Sequence, residues 1–325
     1  MVSAIVRQII KPVILLILAM GVTEVSAIPP AGKLLIFRPG SKIFDEAYEG
    51  LVAGLEETLA IERYTVDRDT SPADIGEQID KVRPDIIALM ENRTVGLYND
   101  YQRQQPEGAT FPPAVVLMTL YVGKYLRDMK NVVGISYEVP GINSLQHLRA
   151  LVLSPIRRVG VVYSGVLEPF FLEQQKSCRA EDIELVGRRL EREDLEPRVI
   201  KKALQQLLRK EKIDALWVLN ESEVLSEKNV KRAWVPVLKA CKKPILVGVK
   251  NLIELGHLGV FPDHYALGEQ AASVVHETRE NNWILIRPFT RQPITVEKIA
   301  NKSRAKSAKI KLREEVLLEM DTVIE

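Results

Sequence analysis

The chain has 325 residues and a mass of 36.6 kDa, a length that suits two lobes of about 150 residues each. Hydrophobic residues make up 46% and charged residues 27%, which excludes a disordered chain, a collagen and a polytopic membrane protein. Forty-five basic against 43 acidic residues leave a net charge of +2, so overall charge gives no reason to expect a nucleic-acid partner. Four His and two Cys leave little material for a zinc site or a disulfide scaffold.

Residues 1–27 read as a cleavable export signal. Arg7 and Lys11 supply the positive start, Val13 to Val22 the apolar stretch, and Val25-Ser26-Ala27 the small residues that a signal peptidase needs. The apolar run is about ten residues, roughly half of a membrane-spanning helix. No Cys follows the cleavage point, which speaks against a lipid anchor. A periplasmic location is expected.

Beyond the signal, short aliphatic runs alternate with longer amphipathic segments. Lys33 to Phe37 reads as a strand, Phe44 to Leu59 as a helix, Tyr64 to Val66 as a strand and Ser71 to Val82 as a helix opened by Ser71-Pro72. Ile86 to Met90 and Val115 to Met118 read as buried strands. The theme restarts with strand Arg158 to Tyr163, helix Pro169 to Cys178, strand Ile183 to Val186 and helix Val199 to Leu208. Strand Ala215 to Val218, helix Val230 to Ala240 and strand Pro244 to Val247 complete the series. The fold class is therefore α/β, with two doubly wound parallel-sheet lobes and a cleft between them. In a sheet of order 2-1-3-4, the helices that carry Cys178 and Cys241 cover opposite faces, so two buried free thiols are expected.

Ligands of such sheets sit beyond the carboxyl ends of strands. The segments that fall there are Arg38–Lys42, Glu91–Thr94, Thr119–Tyr121, Tyr163–Glu168, Asn220–Ser222 and Gly248–Asn251. Tyr121, Tyr163 and Phe170, with Asn92, Arg93, Asn220 and Glu221, suit a small-molecule cleft. Catalytic signatures are missing. Gly40-Ser41-Lys42 lacks the earlier glycine of a phosphate loop, and neither GxGxxG nor GxSxG occurs. His147, His257, His264 and His276 show no metal-ligand spacing. No enzyme activity, cofactor or metal is expected. The basic stretch Lys302 to Arg313 reads as a solvated helix face balanced by Glu314, Glu315, Glu319 and Asp321.

Several motifs in one order resemble the ABC-transporter substrate-binding proteins of the tryptophan/tyrosine-binding type, in an uncharacterised branch. Phe44 to Leu51 is similar to the first helix of that family, and Val133-Gly134-Ile135-Ser136 to the strand that enters its second lobe. Val159 to Ser164, Asp263 to Gly268, Asn301 to Ala308 and Val323-Ile324-Glu325 carry the likeness to the C-terminus. The resemblance implies a type I periplasmic-binding fold, with residues 28–137 and 263–292 in lobe 1 and residues 138–262 and 293–325 in lobe 2. It also implies that Ser41, Lys42, Asn92, Arg93, Thr94, Thr119, Tyr163, Ser164, Asn220, Glu221 and Asp263 line the pocket.

The family's Thr-Asp-Pro reads Thr119-Leu120-Tyr121 here, and its Ser-Asp/Glu reads Gly248-Val249. Two carboxylates are lost while Arg93 is gained, so the expected ligand is anionic or neutral, gripped by the Arg93 guanidinium. The function expected is capture of a small-molecule solute by hinge closure, for a permease/ATPase complex in the inner membrane. A monomer without nucleic-acid partners is expected. The alternative is a periplasmic ligand-binding sensor or accessory protein without a transporter of its own. Export has a direct check: N-terminal sequencing of the periplasmic fraction should find a chain that starts at or near Ile28, and Met1 on a membrane-bound protein would refute it.

Overall fold

A computed structural model of the chain describes residues 32–287 and 289–325, and the export signal lies outside them. Among the described residues no helix is long and apolar enough to cross a membrane. The first series runs β1 (Lys33–Pro39), α1 (Asp45–Ala53), β2 (Ala60–Val66), α2 (Pro72–Val82), β3 (Ile86–Met90), α3 (Asn92–Gln104), β4 (Ala114–Thr119), α4 (Val122–Leu126) and β5 (Val132–Ser136). The second runs α5 (Gly141–Leu151), β6 (Arg158–Ser164), α6 (Glu168–Arg179), β7 (Glu184–Leu190), α7 (Pro197–Arg209) and β8 (Ala215–Val218). It continues through α8 (residues 227–240, π-helical over Val230–Trp234), β9 (Ile245–Val247) and β10 (Leu258–Pro262). The chain then returns to the first sheet through α9 (His264–Glu280) and β11 (Thr290–Arg291). It ends in the second with β12 (Val296–Asn301), α10 (Lys302–Ala308), α11 (Glu314–Leu317) and β13 (Thr322–Ile324).

The strand orders are β11-β5-β4-β3-β1-β2 and β13-β12-β10-β9-β8-β6-β7. All pairings are parallel except β10 with β12. The central strands of each sheet, such as β3, β4, β8 and β9, are buried on both faces, which is why they are apolar at nearly every position rather than at alternate ones. In β1, Leu34 and Ile36 pack with Leu51 and Val274 on one side, while Leu35 and Phe37 pack with Ile75 and Tyr98 on the other. In the second sheet the helix residue Cys178 shares a core with Val159 and Val161, and Cys241 shares the opposite core with Leu216 and Val218. Both thiols are free and buried.

Side-chain caps from Ser71, Glu91, Asp263 and Asn301 fix the starts of α2, α3, α9 and α10. Ser71 caps α2 in a capping box: its hydroxyl accepts from Asp74 N at 3.3 Å and its own N–H donates to Asp74 Oδ2 at 2.7 Å. Two expectations about length fail for physical reasons. The helix from Phe44 stops at Ala53, yet Leu55 and Leu59 keep helical spacing because the turn that follows buries them too. Residues 91–94, read as a loop, open the 13-residue helix α3, whose buried face is largely polar and so lacks an apolar stripe. The basic stretch also differs from a purely solvated face. Arg304 is buried and donates to the carbonyls of Leu238 at 2.7 Å and Cys241 at 2.8 Å.

The return through α9 rests on a close helix crossing. A Cβ at Gly50 would lie 2.1 Å from Tyr265 O, and one at Gly268 would lie 2.1 Å from Ala47 O. Neither neighbour is a side chain that can step aside, since both are backbone. Overpacking of this kind costs about 1–3 kcal/mol and sometimes more. Gly268→Ala should therefore lower the stability measured by urea unfolding by about 3 kcal/mol, at the upper end of that range. An unchanged midpoint would show that the two helices separate freely.

Candidate functional site

Three segments join the sheets: residues 137–140 after β5, residue 263 after β10, and residues 292–295 after β11. Gln270 in α9 ties the last of them, donating to Gln292 O at 2.9 Å and accepting from Ile294 N at 3.2 Å. Beside these segments the carboxyl ends of strands from both sheets face a divided cavity. Its inner part, about 30 Å³, is walled by Tyr121, Tyr137, Glu138, Phe170 and Trp217 among others. Since one water needs about 10–15 Å³ by this measure, the inner part suits water and little else. The outer part, about 500 Å³, lies between α4, residues 136–140, the start of α6 and Gln292. Tyr121, Glu138 and Phe170 line both.

Tyr121 is the centre of the arrangement. It sits in the left-handed backbone region (φ 54°, ψ 47°), a conformation that costs a non-glycine residue about 1–2 kcal/mol. Neighbours hold it there from both sides. The Asn92 amide donates to Leu120 O at 3.0 Å and accepts from Leu120 N at 2.9 Å, and the Glu138 carboxylate accepts from Tyr121 N at 2.7 Å. The ring thus placed packs edge-on against Phe170, with centroids 5.0 Å apart, and its hydroxyl donates to Asn220 O at 2.9 Å. Those two contacts join the first sheet's lobe to the second.

The other residues singled out in the sequence have different positions. Ser41 and Lys42 are exposed, and Ser41 O accepts from Arg38 at 3.3 Å. Thr94 and Thr119 are fully buried, the latter donating to Leu117 O at 3.2 Å. Tyr163 stacks on Phe171 at 4.3 Å and donates to Glu168 at 3.1 Å. The Ser164 N–H donates to both oxygens of buried Glu221, whose pKa burial raises. Asp263 caps α9 by accepting from Ala266 N at 2.9 Å and lines a separate cavity of about 310 Å³ with His264, Lys250 and Glu297. Arg93 does not reach the cavity: its guanidinium donates to the carbonyls of Asp67, Arg68 and Thr70 at 3.2, 2.7 and 3.1 Å. Of the twelve, Tyr121 and Asn220 stand on the walls of the divided cavity, and Asn92 acts on it by fixing Leu120.

Sequence reasoning missed Glu138 and Trp217. Glu138 follows β5 as the other cleft segments follow their strands, so the same rule applied to Ser136 would have found it. Trp217 lies inside a strand, where an aromatic reads as core. Among the described residues no group of His, Cys, Asp or Glu has metal-binding geometry.

No family model matches the chain, and no curated protein matches it. Solved structures do. A substrate-binding protein with adhesive properties from Clostridium difficile, in its ligand-free, open structure, superposes with a TM-score of 0.66 at 14% identity. An ABC domain in complex with L-Trp from Streptococcus pneumoniae gives 0.60 at 17%, and a conserved domain protein from Vibrio cholerae gives 0.59 at 19%. Each comparison covers 90% of this chain and 99% of the other. The chain has a two-lobed type I periplasmic-binding fold.

Burial pushes the Glu138 carboxyl up from its ordinary 4.5 to about 7. The folded chain therefore holds this proton more tightly than the unfolded one. The stability this contributes is full below about pH 4.5 and is lost as pH rises through about 7. Glu138→Gln should flatten that fall in pH-dependent urea unfolding, and a wild-type slope in the variant would contradict it. Tyr121→Phe should cost about 1 kcal/mol, the worth of one hydrogen bond, and enlarge the radius of gyration measured by X-ray scattering.

Proposed function

We propose that this chain captures a small solute between its lobes, as the periplasmic binding component of an ABC importer. The outer cavity carries the reading: about 500 Å³, with walls from α4 on one sheet, α6 on the other and the segments that join them. A ligand in that space touches both lobes at once. Its contacts then favour the closed arrangement, which is how hinge closure is driven in periplasmic binding proteins. The fold shared with substrate-binding proteins supports the reading, as does the L-Trp held by the Streptococcus pneumoniae neighbour. The export signal supports a periplasmic location.

The contact of Tyr121 with Phe170 and Asn220 favours a second reading, in which the lobes hold together by their own contacts and the chain reports on a ligand as a sensor or accessory protein without a transporter. One experiment tests capture in both versions. Thermal unfolding is followed against a panel of amino acids, sugars, carboxylates and amines, with scattering of the best binder. Saturation at 100 times Kd should stabilise the chain by about 2.7 kcal/mol and change the radius of gyration. A cooperative melt that no compound shifts would overturn capture. Association of the bound form with a membrane permease would separate importer from sensor.

A further inference from the structure

We infer that the cleft is built for an organic ammonium ion, whose head group sits in the outer part of the cavity against Glu138 and beside the paired rings of Tyr121 and Phe170. This deepens the proposal of solute capture and rests on it. Glu138 lines both parts of the cavity, and its carboxylate accepts from the backbone N–H of Tyr121 at 2.7 Å. Among the described residues no Lys, Arg or His forms an ion pair with it. An enclosed carboxylate without a counter-charge is unfavourable, and the missing partner is a cation. With no ion-pair partner from the chain, the carboxyl keeps its proton up to about pH 7, and a ligand cation would supply the missing counter-charge.

The surroundings suit a cation of a particular kind. Tyr121 and Phe170 stand on the walls of the outer part, and such rings attract ammonium groups, alkylated ones above all. Tyr121 and Phe170 are set edge to face, with centroids 5.0 Å apart, beside the carboxylate they share a wall with. The inner part, at about 30 Å³, is too small for a methylated ammonium, which places the head group in the outer part. Lys124 and Arg127 line that outer part as exposed residues, and they disfavour a second positive charge on the ligand. The expected ligand is therefore a monocation or a zwitterion. Arg93, spent on the carbonyls of residues 67–70, offers no competing anion site.

Binding must draw Glu138 into its ionised form. Burial holds its pKa near 7, and a neighbouring cation lowers it, so binding releases a proton. The other charges facing this space are Lys124, Arg127 and Glu173 on the outer wall, and Glu221 beyond Tyr121. Behind Tyr137 lie Glu297 and His264; the latter bonds the phenol at 2.8 Å and titrates below its usual range, because burial disfavours its charge. Glu138 is the carboxyl on the cavity wall that burial raises to about 7.

Calorimetry with choline, and with 3,3-dimethyl-1-butanol as its uncharged carbon isostere, tests the inference on the wild-type protein. Choline should bind at least about tenfold more tightly than the isostere. Its affinity should fall as pH drops from about 8 to about 6, with an enthalpy that depends on the buffer's heat of ionisation, as proton release requires. Glu138→Gln should abolish the pH dependence and weaken choline by about tenfold or more, with its cooperative urea transition as the check on folding. Equal binding of choline and the isostere, or an affinity for choline that Glu138→Gln leaves unchanged, overturns the inference. If choline fails while a sugar or a carboxylate from the panel binds, the ligand class is wrong and solute capture stands. If nothing in the panel binds, capture falls with it.

Discussion

The contact on which the architecture depends is the crossing of α1 and α9 at Gly50 and Gly268. Helix α9 leaves the second sheet at Asp263 and leads to β11 on the edge of the first. The chain can make that return only if α9 finds a seat on the first lobe. Its seat is a groove in which backbone meets backbone, with Leu51, Leu267, Ala271 and Val274 closing the core around it. A single methyl group at either glycine would push the helices apart. The connections that run beside the cleft, from residue 263 and from residues 292–295, take their positions from this seat through Gln270.

The cleft shows the opposite economy. Tyr121 adopts a backbone conformation that is unfavourable by itself, and Glu138 is enclosed where its charge is costly. The two are joined by one hydrogen bond, so each stabilises the other's exception. Asn92, at the start of α3, anchors the preceding peptide from the opposite side. Strain and burial gathered at one point, beside the segments that join the lobes, are what a site that responds to a ligand requires. A pure packing role would be better served by apolar residues.

Two of the residues most suggestive in the sequence are committed to structure. Arg93 braces the turn of residues 67–70, and Asp263 caps the returning helix. Their side chains are those a binding site would use, but the Arg93 guanidinium and one oxygen of Asp263 are already hydrogen-bonded to backbone. A carboxylate that lines both parts of the cavity comes from Glu138, on the first of the connecting segments, and the proposed ligand carries the charge opposite to the one expected from the sequence.

The sequence by itself determined the two α/β series, the burial of the central strands of each sheet on both faces, and the placing of the two cysteines in separate cores. These follow from local facts: unbroken aliphatic runs, helical spacing, and caps such as Ser71 with Asp74. It also carried the rule that ligands of such sheets sit past strand ends, which led to Tyr121 and Asn220 on the cavity wall. Only the tertiary structure decided which polar groups remain available. Arg93 and Arg304 look alike in sequence to any free guanidinium, until backbone carbonyls 20 or more positions away occupy them. Glu138 looks like any surface glutamate until Tyr121, Phe170 and Trp217, from three distant segments, join it on one cavity wall. Hydrogen-bond partners and counter-charges at long range are set by the packing of the lobes, and no local pattern records them.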